Sequence, residues 1–406
     1  MKQDIDRLMQ ERDLTAILIP ADHNYSPALD YLVGHVHITG GFALKKIGES
    51  PVLIVGIMEI EEAAATGLTV YSDNQFGWAE IRASDYENPT AEFWATCLKQ
   101  LGVEAGKIGI YGVGELNLLL AIQQYMAQNH PQYQLIGEKA PTLFDLAAMT
   151  KDADELMRIR SVAERTVSVQ QATWDFIQQH QADATETVIK ADGSPLTIGD
   201  VRRFILIQLM ERGLEDTGMI FAQGRDAGFP HSRGQDHMPL KLGQPIVFDL
   251  FPRELGGGYH HDTTRTWCIG YAPPEVQKIY DDVMTAFEVS LEAYGLNKPT
   301  HLMQEAVLNY FESQGHPTSR NDPQTTVGYI HSLGHGVGLK IHEAPRITHL
   351  SNEDTFQVGQ VITIEPGLYY PEQGIGVRIE DTFYIAEDGS LISLTPFRKD
   401  LILPLF

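Results

Sequence analysis

An α+β fold divided between two domains is the expectation for these 406 residues, and three features carry it. The length exceeds the roughly 150 residues usual for one domain. Residues 1–145 alternate short strands with helices, whereas those from 154 onward open on a long helical periodicity. Within that second stretch the order of two helices followed by strands occurs twice.

In the first domain, at 1–145, a charged amphipathic helix (MKQDIDRLMQERDL) precedes the strand TAILIP at 15–20. Residues 40–56 have the pattern of a hairpin whose turn is Gly48-Glu49-Ser50-Pro51. MEIEEAAATG and NPTAEFWATCLKQLG are helical in character, and KIGIYG at 107–112 is a further strand. No catalytic chemistry is legible in this domain. Its boundary falls around 141–155, where the pattern changes.

The second domain, 154–406, begins with Leu156, Ile159, Ala163, Val167, Gln170, Trp174 and Ile177, spaced by three and four as one face of a long helix. A second helix starts at a Thr197 cap, with Asp200 three residues on, and stops at Gly213. Strands at 218–223, 245–251 and 259–269 follow. The order then recurs, with a helix opening at Pro273-Pro274 and closing at Gly295, another from Thr300 to Gly315, and strands at 360–366 and 376–385. Two related halves would meet along a seam, where ligands commonly bind.

Composition excludes several classes of function. Hydrophobic and charged contents of 43% and 21% are ordinary globular values. A net charge of −24 disfavours nucleic acid or an anionic membrane as partner. No stretch reaches the roughly 20 apolar residues of a membrane span. The N-terminal residues lack the apolar core of a signal peptide, and the two cysteines, Cys97 and Cys268, imply no disulfide framework. The expected location is the cytoplasm.

Five residues carry chemistry. Asp249 in IVFDLFP, Asp262 in HHDTTRT, His335 in HSLGHGVG, Glu365 in VITIEPGLYY and Glu380 in VRIEDTFYI each sit in or at the end of a short apolar, strand-like segment. Any one of the carboxylates alone would be read as a turn or cap residue, as local side-chain bonding favours. Converging on one cavity, four carboxylates and an imidazole would raise one another's pKa and resist burial without cations. Two divalent metals would cancel the four charges and activate water. Strand alternation puts Asp262 on one face with His260 and Thr264, and Glu380 with Arg378. Thr264 is then a hydrogen-bond partner for a ligating carboxylate. Oxygen-rich ligation with one imidazole suits Mn²⁺, Co²⁺, Fe²⁺ or Zn²⁺.

The order Asp, HDTTRT, HSLGHGVGLKIHE, TIEPGLY, GVRIED resembles the pita-bread metallopeptidases, which include methionine aminopeptidase, aminopeptidase P, prolidase and the creatinase relatives. The resemblance covers 154–406 strongly. It extends more weakly to 1–140, where DHNYSPALDYLVG and SPVLIVG resemble the N-terminal domain of the proline-specific and creatinase branches. It implies a pita-bread catalytic domain with a pseudo-two-fold repeat behind a creatinase-like α/β domain, two metals with manganese the first choice, and a homodimer. By resemblance Asp249 would bind one metal, Asp262 and Glu380 would bridge both, and His335 and Glu365 would bind the other. Glu365 would also serve as acid and base for a bridging hydroxide. His231, in GFPHS, resembles the histidine that contacts substrate near the scissile bond. His331 and His342 resemble proton-transfer or carbonyl-polarising groups, and Arg378 the arginine that supports the cage or receives a substrate carboxylate. The implied activity is hydrolysis of Xaa-Pro bonds at peptide N-termini, of the aminopeptidase P or the prolidase kind.

Three departures bear on specificity and remove no ligand. FPRELGGG lengthens the connection between Asp249 and Asp262, Val33 stands where relatives usually carry Ser or Thr, and FAQGRDAGFPHS differs from the usual small-residue approach to the histidine. Two alternatives stay open: a pita-bread hydrolase or lyase for a small non-peptide amide or amidine, and a binding protein that kept the fold without catalysis. The intact set of five ligand types and the acidic surface weigh against the second.

Overall fold

The computed structural model of the protein describes residues 4–350 and 353–406. The chain divides into two compact units, one formed by residues up to Ala148 with Gly256–Gly258, the other by Met149–Leu255 with Tyr259–Phe406. Among the described residues no helix is long and apolar enough to cross a membrane.

The first unit is built on a six-stranded sheet in the order Thr69–Ser72, Val52–Val55, Phe42–Lys46, Leu14–Pro20, Gly106–Ile110, Tyr133–Ile136. Phe42–Lys46 runs antiparallel to both neighbours, and the other pairings are parallel. Period-two alternation splits the strand Leu14–Pro20 between two cores. Ile17 and Ile19 pack on one face with Leu143 and Phe144, whereas Ala16 and Leu18 pack on the other with Trp94 and Ile122. The expected hairpin at 40–56 is present. The helix expected across MEIEEAAATG shortens to Ile60–Ala64 behind a single 3₁₀ turn.

The second unit repeats one plan. The helices Ala153–Gln178 and Ile198–Glu211 pack together and accompany a sheet in the order Ile220–Gln223, Pro245–Leu250, Thr263–Ile269, Ile402–Leu403. The helices Pro274–Ala293 and His301–Ser313 likewise pack together. They accompany the sheet Glu343–Ile347, Gly334–Gly336, Val361–Ile364, Asp381–Ile385, Leu391–Ser393. Capping boxes start the first two helices, at Asp152 with Glu155 and at Thr197 with Asp200. The long helix turns a different stripe inward than apolar spacing alone implies. Thr166 and Thr173 are buried on it, while Leu156 and Val167 are only half-buried. Each threonine hydroxyl donates to the carbonyl four residues back, Val162 and Val169, so it enters the core already satisfied.

A bridge between Thr264 and Glu380 joins the two larger sheets of this unit, and there the Glu380 N–H donates to the Thr264 carbonyl at 3.0 Å. That junction interrupts the strand expected at 376–385. Ile375–Arg378 instead pairs with Gly367–Tyr370, and Asp381–Ile385 pairs with Val361–Ile364. Arg265, fully buried in TTRTWCI, holds the junction: it donates to the Thr264 and Glu380 carbonyls and pairs with Asp381 at 2.8 Å.

Candidate metal centre

All nine residues singled out from the sequence as site residues lie in the second unit. Asp249 is the last residue but one of the strand Pro245–Leu250, Asp262 immediately precedes Thr263–Ile269, and His335 is central to Gly334–Gly336. Glu365 follows Val361–Ile364, and Glu380 is the bridge residue between the two sheets. Asp249 and His335 are held by pairing within their strands, whereas Asp262 and Glu365 flank a strand, where the end of regular pairing frees the side chain to turn toward the seam.

Asp262, His335 and Glu380 offer ligand atoms that lie within 4.8 Å of one another, and all three are buried. His335 Nε2 stands 3.6 Å from Asp262 Oδ2 and 3.4 Å from Glu365 Oε1. Thr264 donates its hydroxyl to Glu380 Oε2 at 2.7 Å, the support expected from its place on the strand. Asp249 accepts from Arg378 Nη2 through Oδ2 at 2.6 Å. Its Oδ1, like Oδ1 of Asp262, is buried without a protein hydrogen-bond partner. Such orphaned oxygens are costly, and a cation is the partner their chemistry fits.

Electrostatics say the same. Burial, then the Asp249 and Glu365 charges, holds the Asp262 carboxyl well above its ordinary range. Burial and the neighbouring Asp262 do the same to Glu380. Burial pushes Glu365 up to about 8, Asp249 adding to the rise while Arg378 opposes it. His335 is driven down to about 3, first by burial and then by His342, and is therefore a neutral imidazole with a free lone pair. Positive charge is what this cluster lacks, and divalent cations held by these oxygens and one nitrogen would supply it.

A pH test follows. Above about pH 7 His260, His261, His331 and His335, lowered to about 3 or 4, are neutral folded or unfolded. Glu365 in the metal-free fold keeps its proton up to about pH 8, whereas the unfolded chain releases it near 4.5. The folded state binds more protons, so stability falls as pH rises. Asp262 and Glu380, also raised, act in the same direction. The melting temperature in chelator should drop between about pH 7 and 8.5, and saturating Mn²⁺ should flatten that slope. A chelated protein that melts higher at pH 8.5 than at pH 7 contradicts this account.

The remaining candidates stand around the carboxylates. His342 is exposed, and its ring lies 4.4 Å from that of His335 at 78°. His231 is exposed too, near enough to His331 and His342 for charge on one to be felt by the others. Both ring nitrogens of His331 have partners other than the carboxylates: Nε2 meets the Tyr369 hydroxyl at 3.0 Å, and Nδ1 meets the Ser332 carbonyl at 2.7 Å. Arg378 is buried, and besides Asp249 it donates to Tyr369 Oη at 2.8 Å, Pro230 O at 3.3 Å and Thr264 Oγ1 at 3.2 Å. Tyr369 therefore links His331 to Arg378, a connection not read from the sequence. Its signal was its place in TIEPGLYY, four residues after Glu365.

Comparison with known proteins agrees. The family model described as Metallopeptidase family M24 matches residues 157–387, more than half of the chain. The Xaa-Pro dipeptidase of Pyrococcus furiosus is 36% identical over 183 residues, 45% of this chain and 48% of that protein, so this match spans about half the length of that relative. The Xaa-Pro dipeptidase of Pyrococcus horikoshii is 27% identical over 404 residues, covering 98% of this chain and 97% of that one. Among solved structures, the Xaa-Pro dipeptidase from Bacillus anthracis superposes with a TM-score of 0.76 at 20% identity, covering 99% of both chains. The fold is thus the pita-bread fold behind an α/β N-terminal domain.

Proposed function

Because the chain belongs to metallopeptidase family M24, an enzyme family that works with divalent metal ions, we propose that it is a dinuclear Xaa-Pro dipeptidase, prolidase-like in substrate. The observation that carries this reading is the buried group of Asp262, His335 and Glu380, with orphaned carboxylate oxygens at Asp249 and Asp262. The substrate class is supported by the full-length similarity to a protein named Xaa-Pro dipeptidase.

In this reading Asp249, Asp262, His335, Glu365 and Glu380 hold two ions, Mn²⁺ first, with Co²⁺, Zn²⁺ or Fe²⁺ as the other choices for such ligands. Bound metals supply Lewis-acid polarisation of the scissile carbonyl and a lowered pKa for water. Glu365, half-buried and 3.4 Å from His335, takes the proton of the attacking water and returns it to the departing proline nitrogen. His342 and His231, on the exposed side of the cluster, steady the carbonyl oxygen as charge develops on it. Tyr369 keeps His331 oriented, and burial keeps that imidazole neutral. Arg378 holds Asp249 in place. The enzyme acts in the cytoplasm as a homodimer.

The test is an assay of the Mn²⁺-loaded protein on Ala-Pro, Ala-Pro-Ala and Ala-Ala. Cleavage of Ala-Pro, with Ala-Ala untouched, is expected. Cleavage of the tripeptide alone would move the assignment to an aminopeptidase. Cleavage of neither proline substrate would overturn the peptidase reading in favour of a non-peptide substrate.

A further inference from the structure

One deeply buried ion pair of the second unit takes no part in the metal-binding cluster, but its carboxylate partner stands in the strand beside it. Lys151 Nζ donates to Glu343 Oε2 at 2.6 Å, and the two side chains are 1% and 4% exposed. Such a pair is a weak source of stability, since desolvation offsets most of the Coulombic gain. Its geometry points to a different use.

Glu343 is a hub for the turn 338–343. Its Oε1 accepts from the Lys340 N–H at 3.0 Å and closes the turn. The carboxylate also packs on Gly338, where any Cβ would lie 2.4 Å from Oε2. The Gly338 carbonyl in turn accepts the His260 N–H at 2.8 Å, two residues before Asp262. Glu343 pairs across the sheet with Gly336, at a bulge beside His335, and His342 precedes it in the chain. Lys151 reaches this hub from outside, its own N–H donating to the Gly359 carbonyl at 2.8 Å.

We propose that Lys151 and Glu343 are positioning residues for His342: the buried pair locks the turn 338–343, and the locked turn aims the imidazole at the substrate side of the cluster. Neither residue touches substrate. A lysine far away in the chain thereby sets the rate of the reaction without holding metal.

This inference rests on the peptidase reading, and the experiment separates the two. Wild type, Lys151→Met, Glu343→Gln and the double variant are loaded with Mn²⁺ and assayed on Ala-Pro, with metal per chain and melting temperature measured on each. Glu343→Gln keeps the carbonyl that accepts from Lys340, so it stays folded if Lys151→Met does not. Each single variant should lose about 10- to 100-fold in kcat, the usual effect of a supporting residue. KM should move less than about threefold and metal content should match wild type. The double variant should lose no more than the worse single one, since both remove the same device. An unchanged kcat with only a lower melting temperature overturns the inference, and so does metal loss that accounts for the lost rate. A wild type inactive on every proline substrate is instead the failure of the peptidase reading.

Discussion

Replacing Glu380 with Gln is expected to cut kcat on an Xaa-Pro dipeptide by about 10³-fold, equivalent to about 4 kcal/mol of transition-state stabilisation. The amide is nearly isosteric but carries no charge. Thr264 can still donate to the remaining carbonyl oxygen, so the junction between the two sheets survives. What disappears is one of the negative charges that Asp262 and His335 need beside them to hold a cation. The loss should fall on kcat and on metal content, with melting temperature in chelator unchanged or higher, because a buried carboxylate that repels Asp262 has been neutralised. A variant that keeps wild-type kcat would remove Glu380 from the chemistry.

Arg378→Met should cause the largest loss of stability. The guanidinium makes four hydrogen bonds in a buried setting, to Asp249, Tyr369, Pro230 and Thr264. Removing it leaves the Asp249 carboxylate, only 11% exposed, without its compensating charge. Breaking a buried pair from one side costs about 3–5 kcal/mol. The cost should be greatest in chelator and smaller with Mn²⁺ present, since a cation beside Asp249 replaces part of the lost charge. Arg378→Lys restores charge but not the planar fork, so it should recover only part of the stability. Equal destabilisation with and without metal would show that Asp249 does not feel the cation.

Much of the site was legible because its residues sit in short apolar segments whose chemistry has no use for a charge. Asp262, His335 and Glu380 were readable in this way, and the structure brings them within reach of one another. The repeated order of two helices and a sheet was legible too, from periodicity and from the Thr197 cap. What escaped has a common physical cause. Thr166 and Thr173 are buried because they bond their own helix, which hydropathy does not register. Arg265 and Lys151 act through partners more than a hundred residues away, and Tyr369 through His331, 38 residues back, so spacing along one strand carries no trace of those partners. The break after Arg378 arises from the bridge between Thr264 and Glu380, a tertiary event inside an apparently continuous β segment.

Metal stoichiometry tests the central claim most directly. Protein stripped with chelator and titrated with Mn²⁺ at about pH 8 should take up two ions per chain, and Glu380→Gln should take up fewer at the same concentration. A wild-type chain that binds no Mn²⁺ at saturating concentration while fully folded would contradict the account, leaving the fold without the hydrolytic centre argued from its five ligands.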